Sequence, residues 1–125
     1  MSLEPREQTL QVLYQLDVLG GDEVPGDVEL SAKARRLVEG VLEHRAEIDR
    51  TLESMARHWS VERMSTVDRA ILRLGVYELR HCPDVPTAVV ISEAVKLAKA
   101  YSTDKSGRFV NGVLAAVAKT ERPDT

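Results

Sequence analysis

Apolar residues recur along this chain at helical spacing in five stretches, separated by polar segments rich in glycine, proline or serine. Pro5 to Leu19 reads as a first helix, with proline tolerated at its start and Gly20-Gly21 ending it. Leu10, Leu13 and Leu16 line one side, and Glu7, Gln8, Gln11 and Gln15 lie opposite. Tyr14 and Val18 fall beside the polar set, a pair left for another helix or for a partner to cover. Residues 20 to 30 carry glycine, proline and acids without a period and predict a solvated loop. Ser31 caps a long second helix whose stripe is Ala34, Val38, Val41, Ile48, Leu52, Met55 and Trp59; only Arg45 interrupts it. Ser60 and Ser65 then punctuate a single short turn, Val61 to Met64.

Ser65-Thr66-Val67-Asp68 has the pattern of a capping box and opens a helix to about His81. This helix is apolar nearly all round, so it belongs in the middle of the fold, and Gly75 lets a neighbour pack close. Arg69, Arg73 and Arg80 share one narrow face; Glu78 lies in the apolar sector and is expected to be buried against Arg73 or another arginine. Pro86 starts a helix to about Tyr101, with Val90, Ala94, Leu97 and Tyr101 as its stripe. After a loop from Ser102 to Gly107, Ser106 is expected to cap a last helix built on Val110, Val113, Leu114 and Val117, and Glu121 to Thr125 form a frayed tail. The predicted fold class is all-α, with five main helices and a short extra one.

At 125 residues, 43% hydrophobic and 30% charged, the chain has the size and balance of one globular domain. Its single cysteine, Cys82, excludes an internal disulfide and fits a reducing, cytoplasmic setting. No apolar run approaches the roughly 18 residues of a membrane span, and Met1-Ser2-Leu3-Glu4-Pro5 lacks the layout of a signal peptide. The net charge of −3 is uneven: residues 1–62 carry −6 and residues 63–125 carry +3. That argues against a nonspecific nucleic-acid coat but leaves room for a local basic site in the second half.

Catalytic chemistry is thin. Glu78 and His81 stand at the i, i+3 spacing of helical di-iron sites, but such a site needs the pair twice, so no metal and no cofactor are expected. His44 and His58 have no ligand-spaced companions and read as surface groups; Cys82 has no Cys-x-x-Cys partner and reads as packing. The chain is not expected to be an enzyme. The more informative cluster is at the last helix, where Lys105, Arg108 and Asn111 surround Phe109. A cationic, aromatic, amide-bearing corner at a helix N-terminus suits stacking a base and holding a phosphate; packing of Phe109 on a neighbouring helix is the competing expectation.

Several words of the sequence carry a resemblance: REQTLQVLYQLD from Arg6, VDRAILRLGVYEL from Val67, Asp84-Val85-Pro86, SEAVKLAK from Ser92 and RFVNGVL from Arg108. In this order they resemble the NusB family of bacterial transcription antitermination proteins. The resemblance implies two packed helical subdomains, roughly 1–60 and 65–120, and a non-catalytic RNA-binding factor. Its implied partners are NusE, a ribosomal small-subunit protein, the boxA element of ribosomal RNA transcripts, and the RNA polymerase antitermination complex. Some relatives form homodimers, so self-association stays an alternative. Matching positions imply RNA contacts at Arg6, Lys105, Arg108 and Phe109, and NusE contacts at Tyr14 and Asp68; Asn111 is grouped with the first set, and Val18 and Arg69 with the second, as further candidates. Relatives usually open with several arginines where Ser2-Leu3-Glu4-Pro5 stands here, which leaves open whether a basic segment is missing, and they commonly have an acid where Lys105 stands. An RNA-guiding module of an rRNA cytosine methyltransferase and a structural helical adaptor are the alternative functions.

Overall fold

The structure is a computed structural model and describes residues 4–26, 28–55 and 60–123. Six α-helices account for most of it, with no strand among the described residues: α1 Pro5–Leu19, α2 Ala32–Glu43, α3 Arg45–Met55, α4 Thr66–His81, α5 Thr87–Tyr101 and α6 Asp104–Glu121. A short 3-10 turn, Val61–Arg63, precedes α4.

Local signals set most boundaries as expected. Gly20 takes φ 78°, a left-handed conformation that glycine adopts without a Cβ penalty, and its N–H closes α1 on the Leu16 carbonyl. Ser31 and Ser65 accept the amides of Ala34 and Asp68, capping α2 and α4. Two boundaries differ. The long second helix is two helices, broken at His44, whose backbone closes α2 on Gly40 while its carbonyl accepts from Ile48 of α3. The break falls beside Arg45, the one polar residue in the stripe, so the chain bends with no loss of buried side chains. Trp59 and His58, expected near the end of that segment, lie outside the described residues. At the other end of the chain, Thr103, not Ser106, caps α6, and its Oγ1 accepts the Ser106 amide at 2.9 Å. Lys105 therefore belongs to the helix and not to a preceding loop.

α4 is the central helix. Ile71, Leu72 and Val76 are fully buried, and α1, α2, α3, α5 and α6 all pack against it. A Cβ at Gly75 would stand 2.7 Å from Leu114 of α6, so the close approach of these helices depends on glycine there. Glu78 is 2% exposed, as its place in the apolar sector requires. Its partner is Arg6, not Arg73: Arg6 Nε and Nη2 donate to the two carboxylate oxygens at 2.8 and 2.7 Å. Arg73 lies five residues away, well round the helix, where it forks onto Asp49 of α3 at 2.8 Å. Arg69 pairs with Asp17 and Arg80 with Glu121, so the arginine face of α4 is an internal lattice of ties to α1, α3 and α6.

The end of α4 is finished by a residue far along the chain. Arg122 donates to the carbonyls of Glu78, Leu79, Cys82 and Val85. It adds a second donor at Glu78 and Cys82, whose carbonyls accept the Cys82 and Val85 amides, and supplies one to Leu79 in the last turn of α4. The expected frayed tail thus starts later than Glu121, which is itself tied to Arg80. His44 is also less exposed than expected. Its ring stacks on His81 at 4.1 Å between centroids, and burial together with the His44 and Arg80 charges pushes the His81 imidazole below its ordinary value. No helix of the described residues is long and apolar enough to cross a membrane.

Candidate protein and nucleic-acid interfaces

The first turns of α6 bring the expected RNA residues together. Lys105, Arg108 and Phe109 stand at i, i+3 and i+4, which places them side by side, and Asn111 continues the row one turn on from Arg108. Lys105, Arg108 and Asn111 are exposed; Phe109 is half-buried and packs against the core. Neither Lys105 nor Arg108 forms an ion pair with a described residue, unlike Arg6, Arg69, Arg73 and Arg80. Thr103 takes the Ser106 amide, which leaves those of Asp104 and Lys105 outside the helical ladder. Gly107 has the Lys99 stem across it, with a built Cβ only 3.2 Å from Lys99 Cγ, and this brings a second lysine to the same corner.

Arg6 is placed differently. Its guanidinium is held by Glu78 and lies 3.9 Å from Glu93, and the Glu78 hydrogen bonds raise its pKa above the ordinary arginine value. While that pair stands, little of the fork is left for a phosphate.

The expected protein-contact residues divide in the same way. Tyr14 and Val18 are exposed, at 44% and 59%, one turn apart on α1. Tyr14 borders a cleft of about 250 Å³ formed with Leu10, Gln11, Val67 and Tyr101. Asp68 points inward. It is nine-tenths buried, and its Oδ2 accepts from Ser106 Oγ at 2.9 Å. Arg69 is half-buried on Asp17 and on the carbonyls of Val61 and Met64. Both brace the floor of this face from behind.

Tyr101 is the residue that sequence reasoning missed. Its spacing put it on the core stripe of α5, yet it is 40% exposed, and its hydroxyl donates to Glu7 of α1 at 2.6 Å. The signal was its position as the last residue of α5, beyond the reach of the core.

The NusB family model matches residues 3–119 of this chain. The transcription antitermination protein NusB of Symbiobacterium thermophilum is 48% identical over 130 residues, spanning 90% of this chain and 85% of that protein. The protein of the same description from Acidothermus cellulolyticus is 50% identical over 120 residues, spanning 90% and 83%. Among solved structures, T. maritima NusB superposes with a TM-score of 0.82 at 34% identity, covering 95% of this chain and 93% of its own. A crystal structure of antitermination factors NusB and NusE in complex with dsRNA gives a TM-score of 0.79 at 34% identity, covering 93% and 94%.

Proposed function

The chain belongs to the NusB family, and from that premise we propose that it is a non-catalytic RNA-binding transcription antitermination factor. It acts with a NusE-type protein on the boxA element of ribosomal RNA transcripts, in the cytoplasm, as part of an RNA polymerase antitermination complex. The observation that carries this reading is that two exposed cations, Lys105 and Arg108, which form no ion pair with a described residue, stand beside the half-buried ring of Phe109. Phosphate attraction and a stacking ring at one place are the two elements that single-stranded RNA recognition combines. The likeness to a NusB–NusE–RNA complex over most of both chains supports the same pair of partners. Tyr14 and Val18, with Val67 and Tyr101 bordering the cleft, form the protein-docking face. Asp68 and Arg69 support that face through their ties to Ser106 and Asp17.

A titration of boxA RNA with the protein, alone and with NusE, tests the reading. RNA is expected to bind with an affinity that falls as salt rises, because cations released from phosphates drive association. Lys105→Ala and Arg108→Ala are each expected to weaken binding and to lower the salt slope by about one phosphate contact. Salt slopes identical to the parent's in both variants would remove this corner from the RNA surface. Tight binding that neither RNA nor NusE competes for would point instead to a structural adaptor.

A further inference from the structure

The two proposed faces meet in one hydrogen-bond cluster. Val67 and Tyr101 border the protein-docking cleft, and the next residue after each, Asp68 and Ser102, belongs to the cluster. Ser106 is its hub. The Ser106 hydroxyl donates to Asp68 Oδ2 at 2.9 Å, so the hydroxyls of Ser102, 2.9 Å away, and of Thr103, 3.1 Å away, are the donors to Ser106 Oγ. Ser106 sits between Lys105 and Gly107 in the first turn of α6, and its own amide completes the cap on Thr103.

We infer that Ser106 is a positioning residue that couples the protein-docking cleft to the RNA-binding turn. A partner that shifts Val67 moves Asp68 with it, and one that shifts Tyr101 moves Ser102. Either displacement reaches Ser106, and the turn that orients Lys105 and Arg108 follows. The cluster also has a second arrangement open to it. Asp68 Oδ1 is buried and has no hydrogen-bond partner among the described residues, so the carboxylate holds an unused acceptor to which a donor can transfer. Coupling between sites requires an element with two arrangements that both sites bias. This cluster is placed to be that element. The inference rests on the proposed function and adds the route by which one partner affects the other.

A thermodynamic cycle on the whole chain tests it, with a boxA oligonucleotide and NusE as probes. In the parent, saturating NusE is expected to tighten RNA binding at least about fivefold, a modest coupling between sites. In Ser106→Ala that factor is expected to fall to about twofold or less, while affinity for NusE without RNA stays within about twofold of the parent's. Ser106→Thr keeps the hydroxyl and is expected to restore the coupling. Alanine is a strong helix former, so the variant retains α6. A coupling factor unchanged in Ser106→Ala overturns the inference, as does an RNA affinity that drops equally with and without NusE. A parent that binds both partners with no coupling overturns the inference alone; a parent that binds no RNA even with NusE overturns the proposed function itself.

Discussion

Glu78→Ala is expected to melt roughly 10 °C below the parent, the largest stability loss foreseen for a single side chain here. Removing one member of a buried, bidentate pair leaves the other without its counter-charge, which costs about 3–5 kcal/mol when burial is complete. Glu78 is buried to that degree, but the Arg6 side chain keeps 17% of its exposure, so the lower figure applies. For a domain of this length about 3 kcal/mol corresponds to that shift in melting temperature. The pair also ties the start of α1 to the centre of α4, so its loss frees the helix that carries Tyr14. Glu29→Ala, in the exposed loop, is the control and is expected to melt with the parent. Replacing both partners, Arg6→Met with Glu78→Leu, is expected to recover part of the loss, since two apolar groups need no counter-charge. Circular dichroism melts of the four proteins decide the matter. Equal temperatures for Glu78→Ala and Glu29→Ala would refute the pair's role.

The largest functional effect is expected at Phe109. An aromatic side chain that stacks on a base contributes about 1–3 kcal/mol, so Phe109→Ala should weaken RNA binding roughly five- to a hundredfold. The same ring is half-buried against the core, and its removal also lowers stability, by less than the roughly 3–5 kcal/mol of a fully buried phenylalanine. Phe109→Leu separates the two roles. Leucine retains most of the packing and none of the stacking face, so it is expected to melt near the parent and to bind RNA almost as poorly as alanine. If Phe109→Leu binds RNA like the parent, Phe109 is a packing residue and the base-stacking site lies elsewhere.

How much of this was legible in the sequence follows from the range of the forces involved. Ser65, Gly20 and Pro86 end or begin helices through contacts within a few residues, and those boundaries could be read directly. The break at His44 could not, because Val41 and Ile48 are seven residues apart and stay on one stripe whether the helix runs straight or bends between them. Thr103 and Ser106 are both good caps. What selects Thr103 is that Ser106 is engaged by Asp68, 38 residues earlier, a tertiary fact. The same limit divides the candidate sites. The place of Tyr14 and Val18 off the leucine stripe followed from their angle on α1, though not that they stay uncovered by another helix, and the burial of Glu78 followed from its angle on α4. That Arg6 reaches Glu78 across 72 residues, and that Asp68 turns inward, depends on how helices meet, and no local pattern records it.

The reach of Arg122 back to the carbonyls at the end of α4 has a consequence for the order in which the molecule comes together. Its acceptors lie 37 to 44 residues earlier, so α4, α5 and α6 must all have left the ribosome before the central helix gains its last donors. Until then the Leu79 and Val85 carbonyls lack the donor that Arg122 brings, and those of Glu78 and Cys82 have only the Cys82 and Val85 amides. The final lock on the middle of the protein is thus added only once α6 and the residue after it have been made. A protease that clipped the chain after Glu121 would loosen the molecule from its centre and not from its rim.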